Sequence, residues 1–245
     1  MRRHRSLSVF AAAVSVPCAL SAVALPATAA ELLTNGNLDQ TYQQEITPGF
    51  FLPKPANWVN VGTRTLTGPY EDEMSSETFA GGAPTPVTSA TDNGVFFKPF
   101  TGGGANGPAT GHLYQDNPAT PGKTYTLTGW AGAEANFLGG AEMAVEFLDT
   151  AGNLIAGSGS VLNLRTAGLF TANGQPFNYK QFSVSALAPA DATSVRSRVS
   201  MVNATNNPEG GGQAFVVDDF SLVPEPTGLA MALPAALALL RRRRA

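Results

Sequence analysis

Glycine and proline interrupt this chain along its whole length, with 26 glycines and 18 prolines among 245 residues. Both disfavour helix interiors, because glycine loses more backbone entropy on folding and proline lacks an amide donor. Long uninterrupted helices are therefore not expected outside the two ends, and an all-helical fold is excluded. About 190 residues lie between the terminal segments described below, enough for one substantial core.

Several segments alternate apolar and polar side chains with a period of two, which predicts strands with one buried face. Met143, Val145 and Phe147 share a face, and the turn at 149–152 predicts a hairpin. The other predicted strands are 95–97, 125–130, 182–186, 194–201 and 214–223. Between residues 69 and 108, only 95–97 has a strand pattern. Short strands joined by turns predict an all-β fold, a jelly-roll β-sandwich of two antiparallel sheets.

The charges divide unevenly along the chain. Three of the 15 basic residues lie in the first five positions and four in the last five, which leaves 8 basic and 17 acidic residues between Glu31 and Val223. An acidic surface repels phosphate backbones, so nucleic-acid binding is not expected.

The N-terminus has the three parts of a secretory signal peptide. A basic start (MRRHR) precedes the apolar segment 7–25, and Ala27, Ala29 and Ala30 form the small-residue site that signal peptidase accepts. We therefore predict a signal-peptide helix over 1–30 that is removed on export; the alternative is a permanent anchor. The only cysteine, Cys18, leaves with it, so the mature protein has no disulfide and no thiol nucleophile.

The C-terminus has a second three-part pattern. Pro224, Glu225 and Pro226 precede the uncharged segment 228–240, and the chain then ends on Arg241, Arg242, Arg243 and Arg244 followed by one alanine. A helix over this segment reaches about 20 Å, short of the ~30 Å hydrocarbon core, and the arginines would stay cytoplasmic. This tail, 224–245, closely resembles the PEP-CTERM sorting signal of Gram-negative bacteria that make exopolysaccharide. The resemblance implies transient insertion into the inner membrane, removal of the tail by an exosortase, and release to the cell surface or extracellular matrix. A plain C-terminal anchor is the alternative.

Four segments follow in order along the middle of the chain: 33–39 (LTNGNLD), 111–115 (GHLYQ), 121–127 (PGKTYTL) and 214–222 (AFVVDDFSL). Through them, 31–223 shows a resemblance to carbohydrate-binding modules of the galactose-binding-like jelly-roll superfamily. It implies one sandwich domain, a structural calcium where the first and last strands meet, and a ligand site on the concave face or in the edge loops.

Trp130 is the first candidate for sugar binding. If Tyr125 and Leu127 face the core, strand alternation turns Trp130 outward, where a flat indole suits the C–H face of a pyranose. The alternative is that loops cover Trp130 in a second small core. Glu146 and Arg198 lie on the outward parity of their own strands and could bind sugar hydroxyls beside it. Further candidates are loop aromatics, which loops often supply to binding sites: Tyr70, Phe137, Tyr114 and Tyr179. Trp58 is predicted to be core.

Asp218 and Asp219 are the candidates for metal binding. Asp218 shares the parity of apolar neighbours in the last strand, and a buried carboxylate needs donors or a cation. The resembled fold would bring the first strand against the last, so Asn37 and Asp39 could complete with Asp218 and Asp219 a set of oxygen ligands that suits calcium. Backbone or hydroxyl donors to the carboxylate are the open alternative.

Catalytic patterns are weak in this sequence. His112 is the only histidine outside the signal peptide, no Gly-x-Ser-x-Gly elbow is present, and the acidic cluster 71–73 fits an exposed turn. The sequence therefore predicts an exported, surface-sorted, non-catalytic protein that binds polysaccharide. A structural matrix protein without a sugar site is the second hypothesis, and a small polysaccharide lyase or hydrolase the third.

Overall fold

The computed structural model describes residues 29–62, 74–85, 91–99, 103 and 107–225. Two short 3₁₀ helices, Thr78–Ala80 and Pro176–Asn178, lie between strands. The strands, numbered in chain order, are β1 (Thr41–Thr47), β2 (Phe50–Pro55), β3 (Val59–Gly62), β4 (Met74–Glu77), β5 (Gly94–Phe97), β6 (Ala109–Pro118), β7 (Thr124–Ala133), β8 (Leu138–Leu148), β9 (Ser160–Asn163), β10 (Lys180–Leu187), β11 (Ser194–Thr205) and β12 (Phe215–Pro224).

Ten of these strands form two antiparallel five-stranded sheets. The first sheet has the order β10-β7-β12-β5-β4 and the second β3-β6-β11-β8-β9, while β1 and β2 form a separate hairpin. The predicted sandwich of two antiparallel sheets is confirmed. Consecutive strands β7 and β8 belong to different sheets, so the chain crosses the sandwich between them.

The main core lies between the two sheets. Tyr125 and Leu127 enter it from β7, and Met143, Val145 and Phe147 enter it from β8, all at most 3% exposed. The predicted parity of both strands is confirmed. Each fully buried apolar side chain of this size contributes about 1.5–3 kcal/mol, so these alternating rows stabilise the sandwich.

Trp58 lies in the main core, as predicted, and its Nε1 donates to the Asn35 carbonyl at 2.9 Å. The ring centroid of Trp58 lies 5.5 Å from that of Phe220. The Phe220 ring in turn occupies the space above Gly129, where a Cβ atom would lie 2.3 Å from Phe220 Cδ1. This close approach explains why glycine replaces an apolar side chain in the middle of β7.

The last strand bends at Asp219. Its φ of 49° is left-handed, and the pairing of β12 with β7 shifts register between Asp218 and Ser221. Upstream of this bulge Val217 faces the main core, and downstream Phe220 faces it. Asp218 is therefore on the outer side of the first sheet, directly across from Trp130 on β7. Asp218 is buried, as predicted, but it faces away from the main core that contains Phe220 and Leu222, because the extra residue reverses the parity.

The chain start runs along β12. The Leu32 amide donates to the Leu222 carbonyl at 3.0 Å, and the Phe220 amide donates to the Gly36 carbonyl at 2.8 Å. The expected approach of the first segment to the last strand is thus present, although this segment is irregular.

Several predictions concern residues outside the described ranges. They are the signal peptide with Ala27, the sorting tail from Pro226 onwards with Arg241, Arg242, Arg243 and Arg244, and the candidates Tyr70 and 71–73. Among the described residues, no helix is long and apolar enough to cross a membrane.

Candidate functional site

The outer face of the second sheet carries a cross-strand array of polar side chains. Register places His112 of β6 and Glu142 of β8 on either side of Ser200 in β11. One step along, Tyr114 lies across from Arg198, and the next step pairs Arg196 with Glu146. These side chains, apart from the buried Ser200, are half-buried on the solvent side of the sheet and form a continuous polar surface.

Arg198 is the centre of this array. Its guanidinium donates to both oxygens of Glu146, from Nη2 at 2.8 Å and from Nε at 3.1 Å. Nη1 donates to Ser200 Oγ at 2.5 Å and reaches Glu142 Oε2 at 3.4 Å. Such bidentate pairs are short, directional and fixed in geometry. The pair therefore holds Glu146 rigidly, whereas Glu142 is held by one long contact.

Arg196 makes the second bidentate pair. Its Nε and Nη2 donate to the two oxygens of Asp116 at 2.7 and 2.8 Å. The same guanidinium lies 3.9 Å from the centroid of the Tyr114 ring, a cation–π contact. The guanidinium of Arg196 therefore covers one face of the Tyr114 ring.

His112 is held in its neutral form. Its Nδ1 lies 2.7 Å from Ser200 Oγ, which already accepts from Arg198, so the serine hydroxyl can donate to the ring. Burial and the neighbouring Arg198 charge lower the pKa of His112 and outweigh the opposing effect of Glu146 and Glu142. The imidazole therefore presents a neutral ring edge at neutral pH.

Two adjoining cavities lie over this array, and we call them together the groove. The first has a volume of about 520 Å³ and is bordered by His112, Tyr114, Arg198 and the aliphatic Leu154. The second, of about 500 Å³, is bordered by Asn163 and Arg165 among others. Glu142 and Val202 line both cavities, so the groove continues from one to the other. Its size matches that of small-ligand sites.

Trp130 lies on the outer face of the other sheet. Its half-buried indole packs against a second apolar cluster that contains the buried Tyr179 and Val216. Glu146 and Arg198 belong to the opposite outer face of the sandwich, so the prediction that they lie beside Trp130 is wrong. Trp130 on β7 and Glu146 on β8 lie on opposite faces because these two consecutive strands belong to different sheets. That Trp130 binds sugar stays a prediction.

The prediction that the loop aromatics Phe137 and Tyr179 lie at the surface is wrong. Phe137 is 1% exposed and packs in the main core with its ring 5.8 Å from that of Phe215. Tyr179 is also 1% exposed, and its hydroxyl donates to the Ala80 carbonyl at 2.5 Å. Burial first, and then the charge of Asp218, raise the pKa of Tyr179 well above its ordinary value. Both rings leave the surface because the loops fold back onto the sandwich.

Asp218 is buried in this second region. Its exposed fraction is 1%, and it accepts from the Ala83 amide at 3.1 Å and from the Asp219 amide at 2.8 Å. Burial raises the pKa of Asp218 to about 8, and the charges of Asp219 and Asp92 add to this effect. The two backbone donors are the alternative to a cation that the sequence left open.

Four carboxylates lie near one another here. Burial first, and then Asp92 and Asp39, raise the pKa of Asp219. Asp39 accepts from the Asn93 amide at 2.9 Å and from Asn37 Nδ2 at 2.5 Å, so each of its oxygens already has a donor. Within the described ranges, no three Asp, Glu or His side chains are grouped so that they could hold a metal. Calcium binding at these residues stays a prediction.

The sequence predicts only part of the groove. Glu146 and Arg198 are candidates from the sequence, but Glu142, Arg196 and Asp116 are not, although each lies on the outward parity of its strand. The signal that could have found them is charge alternation: Arg196 and Arg198 alternate in β11, and Glu142 and Glu146 keep the same parity in β8.

Comparison with known proteins shows the fold alone. No family model matches the sequence, and the search of curated proteins finds no match either. The Stig cyclase Fisc from Fischerella sp. TAU has a TM-score of 0.51 at 12% identity over 81% of this chain and 99% of that one. This likeness supports the β-sandwich architecture.

Solved structures similar to the chain also include carbohydrate-binding modules at low identity. A family 16 carbohydrate-binding module has a TM-score of 0.37 at 18% identity, covering 64% of this chain and 89% of that one. The enzymatically active domain of bacteriophage CBA120 tailspike protein 4 has a TM-score of 0.43 at 13% identity over 68% of this chain. The chain spans only 19% of that tailspike domain.

Proposed function

We propose that this chain is an exported, surface-sorted, non-catalytic protein that binds polysaccharide in the groove of the second sheet. The observation that carries the proposal is the set of fixed donors and acceptors beside apolar side chains on this face. Export and sorting rest on the sequence patterns of the two ends, including Pro224, Glu225 and Pro226.

The groove has the chemistry that a sugar needs. A sugar ring presents hydroxyls, which donate and accept hydrogen bonds, around faces of C–H groups. Glu142 supplies acceptors, and Tyr114, Val202 and Leu154 supply apolar contact area. The ion pairs hold their members before a ligand arrives, which lowers the entropic cost of binding.

The same ion pairs favour binding over hydrolysis. Glycoside hydrolysis uses two carboxyl groups with different tasks, one donating a proton and the other activating water or attacking the sugar. Glu142 and Glu146 instead share one partner, the guanidinium of Arg198. Ser200, the hydroxyl next to His112, is fully buried beneath them and cannot reach a ligand as a nucleophile.

A glycan array followed by affinity electrophoresis of the purified protein tests the proposal. We expect retention by at least one polysaccharide, and Tyr114→Ala or Glu142→Ala should weaken it on the order of tenfold, as for a central interface residue. Glu209→Gln is the control, because Glu209 is exposed and does not border the groove.

Two results would contradict the proposal. One is the absence of binding to every glycan by a protein whose melting curve shows it folded, which would favour a purely structural role. The other is binding that both groove variants leave unchanged, which would place the sugar elsewhere, for example at Trp130.

A further inference from the structure

We propose that the groove selects uncharged polysaccharides and rejects those that carry carboxylate or sulfate groups. This inference rests on the proposed function and names the substrate class of the same site. It follows from how the three guanidiniums of the groove are engaged.

Two of the three guanidiniums are paired with carboxylates of the protein, and the third, on the exposed Arg165, donates to a backbone carbonyl. Arg196 is paired with Asp116 through two hydrogen bonds, and Arg198 is paired in the same way with Glu146. Arg165 Nη1 donates to the Gly139 carbonyl at 2.6 Å, and its guanidinium lies 4.5 Å from the ring centroid of Phe170. An anionic ligand would have to compete with these partners, which are held in place by the sheet.

The charges of the groove balance. The three carboxylates of Asp116, Glu142 and Glu146 equal in number the three guanidiniums, although Arg198 contacts two of them and Arg165 donates to a backbone carbonyl. His112 adds no positive charge at neutral pH, because burial and Arg198 lower its pKa. The segment from 31 to 223 carries 8 basic and 17 acidic residues, so its long-range field also repels polyanions.

Glu142 is the least constrained charge of the groove. Its side chain is 31% exposed, against 16% for Glu146, and its contact to Arg198 is 3.4 Å long. It also lines both cavities. A ligand that fills the groove therefore meets a carboxylate with spare acceptor capacity, which attracts hydroxyl donors and repels anions.

The test uses matched polymers that differ only in charge. Alginate, polygalacturonate and glucuronan are each compared with the same polymer after chemical reduction of its carboxylates to alcohols. Affinity electrophoresis of the full protein in low salt gives the retention constants. We expect at least one reduced polymer to be retained about tenfold or more strongly than its acidic parent.

The variant Glu142→Gln adds a second readout. It should lower the ratio of the retention constants of the reduced polymer and its acidic parent, because the local repulsion of an anion is lost. Glu209→Gln makes the same change in net charge away from the groove and should leave the preference unchanged. An equal change in both variants would attribute the selectivity to the overall charge and overturn the role of the groove.

The remaining outcomes are distinct. Equal or stronger retention by the acidic parent, weakening as salt rises, would overturn the inference and leave the proposed polysaccharide binding intact. No retention by any polymer of the matched pairs or of the glycan array would overturn the proposed function together with the inference.

Discussion

The buried carboxyl of Asp218 should make the folded protein less stable as the pH rises. Replacing Asp218 by asparagine should remove this pH dependence. The carboxyl is buried under the loop at Ala83, and burial raises its pKa to about 8. In the unfolded chain the same group titrates near 3.9. Between these two values the folded state holds one more proton than the unfolded state, so the free energy of unfolding falls as the pH increases.

The size of the effect follows from the two pKa values. The slope is about 1.4 kcal/mol per pH unit, and by pH 7 the accumulated loss is about 4 kcal/mol. Asparagine does not titrate, so its own cost is constant with pH. It has a single oxygen for the two amide donors of Ala83 and Asp219, and we expect this mismatch to cost about 1–3 kcal/mol.

Urea denaturation at pH 5, 6, 7 and 8 measures the difference in unfolding free energy between the two proteins. We expect the wild type to lose about 2.7 kcal/mol relative to Asp218→Asn from pH 5 to pH 7, and the difference to level off above pH 8. Asp191→Asn, at an exposed site, is the control and should follow the wild type. A difference that is constant over the whole range would refute the assignment of a buried, largely protonated carboxyl to Asp218.

Three further predictions concern the other candidate residues. If the sugar binds in the groove as proposed, Trp130→Ala should leave polysaccharide retention unchanged and cost about 2 kcal/mol of stability, below the ~3–5 of a fully buried tryptophan. Retention lost without a change in melting temperature would instead make the indole a sugar platform, as the sequence predicts. Calcium bound beside Asp39 and Asp219 would relieve their mutual repulsion and at a hundredfold excess over Kd add about 2.7 kcal/mol. Melting curves that coincide in calcium and in EDTA, with no metal in the purified protein, would end the calcium hypothesis. Mass spectrometry of the exported protein should find a C-terminus that lacks 241–244, and recovery of that end from outside the cell would refute cleavage of the tail.

Strands with regular alternation or a compact apolar run could be predicted from the sequence, and a strand with prolines or a short polar one could not. The segments around Leu127, Val145 and Val199 alternate over five or more residues, and the structure has strands there. The strand Phe50–Pro55 contains two prolines, which normally argue against a strand. Met74–Glu77 is short and mostly polar, and its strand conformation depends on pairing with β5 at the sheet edge.

The bulge at Asp219 shows a second limit. Parity arguments count residues along a strand and assume that none is inserted, so one left-handed residue transfers every later side chain to the other face. An aspartate at a φ of 49° leaves no distinct mark in sequence, although Asp and Asn adopt this conformation more readily than most residues. The sequence therefore predicts correctly which way Tyr125 and Leu127 face and that Asp218 is buried, but not that Asp218 faces away from Phe220 and Leu222.

The groove shows why knowing which residues point outward is not enough to locate a binding site. Alternation correctly predicts that Glu146, Arg198 and Trp130 point away from the main core. A sandwich has two outer faces, however, one on each sheet. The outer face on which a residue lies depends on the crossing between β7 and β8 and on the insertion of β11 between β6 and β8. Both are long-range features of the fold. Only that order brings Arg198 between Tyr114 and the acidic side chains of β8. The residues that could bind a ligand were thus partly visible in the sequence, and the strand order decides which of them can act together.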